Sequence, residues 1–109
     1  MVKIAYNGCY GGFDLSTEGK VHYAKLLGYT DVKKVLDQVY VNGEYFSIHN
    51  MSRTDPYLIK TIEDLGDRAN GSCARIALRE VPKGTRYRIE EYDGLETVMI
   101  EGEDQWLIA

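Results

Sequence analysis

The chain has no long apolar run. Nothing in it approaches the roughly 20 consecutive apolar residues a membrane-spanning helix requires. The opening segment MVKIAYNG ends its apolar stretch at Tyr6, well short of the apolar core of a signal peptide. The expectation is a protein that stays in the cytoplasm, that of the host cell if its origin is viral. Cysteine is scarce too: Cys9 and Cys73 are the only two. Two cysteines cannot make a disulfide scaffold, and in a reducing compartment they stand as thiols. With no CxxC or HxxxH spacing among two cysteines and two histidines, no zinc site is expected, and nothing calls for a cofactor. An excess of positive charge is also missing. The formal net charge is −4, which argues against non-specific nucleic-acid binding, since that depends on Lys and Arg neutralising phosphates. A local arginine cluster holding a small anion is still compatible with it.

What is abundant is tyrosine, nine in 109 residues. Tyrosine presents a flat apolar ring with a polar tip and suits interfaces and stacking pockets. It also suits half-buried strands, and composition alone leaves both readings open. An apolar fraction of 44% is ordinary for a globular chain, and the length fits one domain, residues 1–109.

Val2–Tyr6 reads as a strand. Asn7-Gly8-Cys9-Tyr10-Gly11-Gly12-Phe13 then reads as a glycine-rich loop. Ser16 is a good N-cap for a helix over 16–27, with Glu18 in its first turn and Gly28 as its stop. Val21, Ala24, Leu27 and Tyr23 are candidates for its apolar face. Asp31–Leu36 is ambiguous, with Thr30 or Asp31 as a possible cap for a short helical turn. Val39–Phe46 is a hairpin about Asn42-Gly43, with Tyr40 opposite Tyr45 and Val39 opposite Phe46. Asp55-Pro56 opens a second helix over 56–70, its stripe formed by Leu58, Ile62, Leu65 and Ala69. Gly66 inside it hints at close packing. From Ala74 the period becomes two, and Asp93-Gly94 makes a second hairpin with Ile89 opposite Val98. Trp106-Leu107-Ile108 is an apolar tail expected to dock on the body or on a second copy. The predicted fold is α+β: a single domain with a mostly antiparallel sheet of four to six strands and two main helices.

The glycine loop between a strand and a capped helix has the makings of an anion cradle, because a helix N-terminus exposes N–H groups and glycines let a phosphate approach them. It lacks the Gly-Lys-Ser/Thr ending of a Walker A motif and the glycine spacing of a dinucleotide fingerprint. The candidate ligand contacts are Asn7, Cys9, Tyr10, Gly11, Gly12 and Ser16. The missing cation would come from Arg53, chosen over Arg86 and Arg88, since Arg grips phosphate in a bidentate way. The alternative is a tight loop whose Tyr10 and Phe13 pack into the core. Arg75, Arg79, Arg86 and Arg88 form a basic stripe or, with Glu80, Glu90 and Glu91 among them, a salt-bridged surface. Cys9 with His22 or His49 could make a nucleophile and base, against which stands the usual inert thiol. Asp14, Glu18, Glu63 and Asp64 read as caps or surface carboxylates, and no pair reads as a hydrolase dyad.

The string Asn7-Gly8-Cys9-Tyr10-Gly11-Gly12-Phe13-Asp14-Leu15-Ser16 resembles the opening of a family of small phage and prophage proteins that share Asn-x-Cys-Tyr-Gly-Gly-Phe-x-Leu-Ser. The resemblance continues at Arg53-Thr54-Asp55-Pro56, at Ala69-Asn70-Gly71 and at Ile89-Glu90-Glu91-Tyr92-Asp93-Gly94, covering most of the chain, with 29–50 and the tail fitting poorly. It implies a viral origin and carries no chemistry. A small phage protein without a catalytic signature is expected to counter host defence. The first reading is sequestration of a small anionic nucleotide signal. The second is direct blockade of a host protein, and the third is enzymatic destruction of the signal. A homo-oligomer is expected from the tyrosines and the apolar tail.

Overall fold

The computed structural model describes residues 1–48 and 51–102. It has the α+β architecture expected, with two helices and seven strands in the order β1 (Val2–Asn7), α1 (Thr17–Leu26), β2 (Val32–Val35), β3 (Gln38–Val41), β4 (Glu44–Tyr45), α2 (Pro56–Leu65), a 3₁₀ turn Gly66–Ala69, β5 (Ile76–Val81), β6 (Tyr87–Tyr92) and β7 (Leu95–Ile100). All pairing between these strands is antiparallel, but the strands form three small sheets: β1–β5, β2–β3–β4 and β6–β7.

The β1–β5 ribbon has two apolar faces, which is why one sheet does not suffice. Val2, Ile4 and Tyr6 meet Ile89, Val98 and Ile100 of the β6–β7 hairpin, together with Val81. Ala5 belongs instead to the larger core, with Tyr23 and Ala24 of α1, Leu58, Ile59 and Ile62 of α2, and Val39, Val41 and Phe46. Alternate residues of one strand thus serve two cores. On the helix side Lys3 pairs with Glu63 at 2.6 Å.

Both hairpins adopt the expected registers. Tyr40 faces Tyr45, Ile89 faces Val98, and the Phe46 N–H donates to Val39 O at 2.9 Å. Asn42 and Asp93, each followed by a glycine, take the positive φ that a type I′ turn demands. One ambiguous segment is settled and two local expectations are corrected. Residues 32–35 are a strand and not a helical turn. Val35 pairs with Gln38 across the two-residue turn Leu36-Asp37, where ladder bonds to β3 outweigh a single isolated helical turn. The second helix stops at Leu65 because Gly66 swings to φ +59, and the chain reaches Ala69 as a 3₁₀ turn. A Cβ at Gly66 would meet nothing, so its role is conformational, not close packing. In α1 Leu27 is exposed, while Tyr23 and Ala24 are buried and Val21 packs against the core half-buried. Trp106-Leu107-Ile108 lies outside the described residues.

The helices are tied by one shared carboxylate. Asp55 caps α2 by accepting from the Tyr57 N–H at 2.9 Å, while its other oxygen accepts from the buried Tyr23 hydroxyl at 2.5 Å. Burial, with the Asp55 hydrogen bond and charge adding to it, drives the Tyr23 hydroxyl well above its ordinary pKa, so it is always a donor here. A hydrogen bond to a charged group contributes about 1.5–3 kcal/mol. Tyr23→Phe should therefore lower stability by about that amount, read as a lower urea midpoint at unchanged slope.

Candidate functional site

The end of the molecule where β1 leaves its ribbon gathers most of the residues singled out in the sequence. Asn7, the last residue of β1, is fully buried. Its Nδ2 donates to Cys9 O at 2.7 Å and to Gly94 O at 2.8 Å. Its Oδ1 accepts from the Arg75 N–H at 2.8 Å and takes a weak contact from Cys9 Sγ at 3.5 Å. One amide thereby holds the glycine loop, the strand entering from residue 75 and the β6–β7 turn, using both donors and both acceptors.

The Asn7 backbone N–H points to Glu96 Oε1 at 2.8 Å. Glu96 lies on the inner face of β7 and is 8% exposed. A buried carboxylate requires a partner, and the partner is Arg53: Nη1 to Oε1 at 2.6 Å and Nη2 to Oε2 at 2.8 Å. The guanidinium carbon stands 3.7 Å from the centroid of the Phe13 ring, a cation–π stack. The Arg53 backbone is also engaged, its carbonyl accepting from the Ala5 N–H at 2.9 Å. The cation assigned from sequence to a ligand thus sits, half-buried, in a bidentate ion pair with a buried carboxylate, and removing it would disturb the fold itself.

The glycines have an equally local reason. Gly94, at the tip of the hairpin, lies so close to the loop that a Cβ there would fall 2.2 Å from Gly12 N and 2.5 Å from Gly11 N. A Cβ on Gly11 would fall 2.2 Å from Cys73 O. The loop runs between two other stretches of backbone, and only residues without side chains fit. Its peptide groups join the packing: Gly8 N–H donates to Arg75 O at 2.8 Å and Gly11 N–H to Asp93 O at 3.2 Å. Ser16 caps α1 by accepting from the Gly19 N–H at 2.9 Å and donates to Arg68 O. The Ser16 N–H donates to Ala69 O, and Leu15 bridges to Asn70. The cap of α1 is therefore tied to the 3₁₀ turn, while Glu18 in its first turn stays exposed. Phe13 packs against the core, whereas Tyr10 is 64% exposed.

The remaining candidates are dispersed. Cys9 Sγ lies 3.4 Å from Cys73 O, while His22 Nε2 is 2.9 Å from Asp64 of α2; His49 falls outside the described residues. Glu18 pairs with Arg68, Asp14 with Lys20, Arg86 with Glu101 and Arg88 with Glu90. Among the described residues no three His, Cys, Asp or Glu side chains gather as a metal site. Two open clefts, of about 300 and 620 Å³, flank Arg86 and Glu101 at the opposite end of the β6–β7 hairpin, and no residue of the glycine loop lines either. Sequence reasoning missed Glu96. Its one signal is a carboxylate standing in alternation with Val98 and Ile100 on a face that must be buried.

Removing one partner of a buried ion pair costs about 3–5 kcal/mol, because the other charge is left uncompensated. Arg53→Ala should show a loss of that order in chemical denaturation. The double variant Arg53→Met with Glu96→Gln should lose less than Arg53→Ala alone, since Gln keeps an acceptor for the Asn7 N–H and leaves no buried charge. Gly94→Ala should destabilise comparably to Arg53→Ala through the backbone clash, whereas Gly102→Ala, whose Cβ would meet nothing, should lose only the cost of its positive φ.

No family model matches the chain, and neither a curated protein nor a solved structure does.

Proposed function

We propose that this chain is a phage-type binding protein that blocks a host protein through surface complementarity, with the interlocked glycine loop and hairpin tip as its contact end. The observation that carries the proposal is the internal commitment of the loop. Arg53 is paired with Glu96, Gly8 and Gly11 give their N–H groups to backbone carbonyls, and Ser16 is engaged by the Gly19 N–H and by the 3₁₀ turn. What this end offers outward is a rigid backbone surface with Tyr10 exposed on it and acidic Asp93 beside it. Six of the nine tyrosines are exposed: Tyr10, Tyr29, Tyr45, Tyr57, Tyr87 and Tyr92. That distribution suits contact surfaces better than half-buried strands. With a net charge of −4 the fitting partner is a protein with a basic face. The viral assignment rests on the resemblance of the Asn7–Ser16 string.

Sequestration of a nucleotide signal is the second reading. It is favoured by Tyr10, exposed on the loop where it could stack on a base, and by the cleft lined by Arg86, Tyr87 and Arg88.

Thermal shift with cyclic dinucleotides, cyclic trinucleotides and ADP-ribose derivatives separates the two. A ligand at 100 times its Kd stabilises by about 2.7 kcal/mol, which moves the melting midpoint of a domain this size by several degrees. The protein-partner reading expects no shift with any nucleotide. It also expects a host protein, once purified, to bind wild type at least about tenfold more tightly than Tyr10→Ala, a loss of about 1.4 kcal/mol. A nucleotide shift of several degrees would overturn it. Arg86→Ala and Tyr10→Ala would then tell whether the nucleotide sits in the cleft or on the loop.

A further inference from the structure

We infer that β6 is a self-association edge, on which a second copy of this chain adds antiparallel about a two-fold axis at Ile89. The inference is independent of what the glycine-loop end binds.

The ladder between β6 and β7 decides which peptide groups of β6 are available. The two-residue turn makes Tyr92 and Leu95 a hydrogen-bonded pair, and at the far end the Glu101 N–H donates to Arg86 O at 3.0 Å. Because such pairs alternate, residues 86, 88, 90 and 92 spend their peptide groups on β7, and those of 87, 89 and 91 point away from it. Among the described residues no hydrogen bond to another element meets those outward groups. All of β6 except Ile89 is exposed. It contains neither proline nor a bulge, two of the devices that blunt an open edge.

A two-fold partner must match outward groups with outward groups. The three closest registers place residue 88 opposite 88, residue 88 opposite 90, or residue 90 opposite 90. The first sets Arg88 against Arg88 and the third sets Glu90 against Glu90. The first also sets Arg86 against Glu90, but only the middle register pairs unlike charges, Arg88 with Glu90 on both sides, with no like-charge contact on the axis. That pair falls at a non-hydrogen-bonded position, where Cα atoms approach to about 4.5 Å and side chains are closest. The same register sets Arg86 opposite Tyr92, Tyr87 opposite Glu91, and Ile89 opposite Ile89. Ile89 packs on the smaller apolar cluster, whose buried members are only Ile4, Val81, Val98 and Ile100. Pairing at Ile89 would join two such clusters across the axis.

The edges of β1, β2, β4 and β5 lack this match. Two-fold self-pairing of β2 about its middle sets Lys33 against Lys33 or Lys34 against Lys34, like-charge contacts. The edge of β1 away from β5 is occupied where Ala5 N–H donates to Arg53 O. On β5, pairing about Leu78 sets Arg79 against Ala77. β4 is two residues long. Within one copy Arg88 and Glu90 pair with each other, 2.9 Å apart on an exposed face, so the dimer exchanges two weak surface pairs, one per copy, for two cross-strand pairs, and the ladder is the gain.

The test is a charge exchange followed by light scattering at micromolar concentration. Wild type is expected at twice the chain mass of 12.4 kDa. Arg88→Glu alone and Glu90→Arg alone each place like charges across the axis and should run at the single-chain mass, with far-ultraviolet circular dichroism unchanged. An equimolar mixture of the two single variants should recover a heterodimer, and the double variant Arg88→Glu with Glu90→Arg should recover the homodimer. A wild-type protein at the single-chain mass overturns the inference. So does a dimer that both single reversals leave intact, which would place the contact elsewhere, residues 103–109 included. A wild type that dimerises only after 103–109 are removed would overturn it too, by making the chain's own tail the occupant of the edge.

Discussion

The fold depends on a charge that cannot be left alone. Glu96 projects from β7 into the interior, where an unpaired carboxylate would be prohibitively expensive. Arg53 meets it with two hydrogen bonds, and the Asn7 N–H adds a third. These three residues come from β7, from the segment before α2 and from the end of β1. Satisfying one carboxylate therefore fixes the hairpin, the helical layer and the central ribbon relative to one another. The requirement is directional, unlike apolar burial, so it selects one arrangement among several that would cover similar area.

Around this pair the neighbouring parts are shaped to close a small space. Asn7 uses its whole amide to pin the loop and the hairpin tip. Gly11 and Gly94 let three backbones approach at distances no side chain would permit. Phe13 lies against the Arg53 guanidinium and shields the ion pair on one side. The residues that look most like a phosphate cradle in one dimension are, in three, a joint between the two halves of the protein. A ligand there would have to compete with bonds the fold already makes.

The two cores explain the division of the strands. The ribbon β1–β5 is covered by helices on one face and by the β6–β7 hairpin on the other, leaving β6 on the outside with nothing on its far side but solvent among the described residues. An open edge must be either protected or used. β2 carries two adjacent lysines, a protecting pattern. β6 carries arginine toward one end and glutamate toward the other, a pattern complementary to its own reverse. A two-fold pair about Ile89 would also send the two loop–hairpin ends in opposite directions, leaving both available to partners.

Local chemistry was legible from residue order. Asn42-Gly43 and Asp93-Gly94 fixed both hairpin registers because type I′ turns need positive φ, and Ser16 and Asp55-Pro56 marked both helix starts because their side chains cap unpaired N–H groups. The α+β class followed from the change of apolar period. Three things were decided only by tertiary contacts. Residues 32–35 became a strand because β3 was there to pair with, a partner whose effect outweighs weak local preference. Arg53 found Glu96, 43 residues away, and no spacing rule links a cation to a carboxylate across that distance. Gly11 and Gly94 met face to face although 83 positions separate them. A glycine required by a neighbouring backbone and one required by a ligand are the same letter in the sequence, and only the atoms packed against it tell them apart.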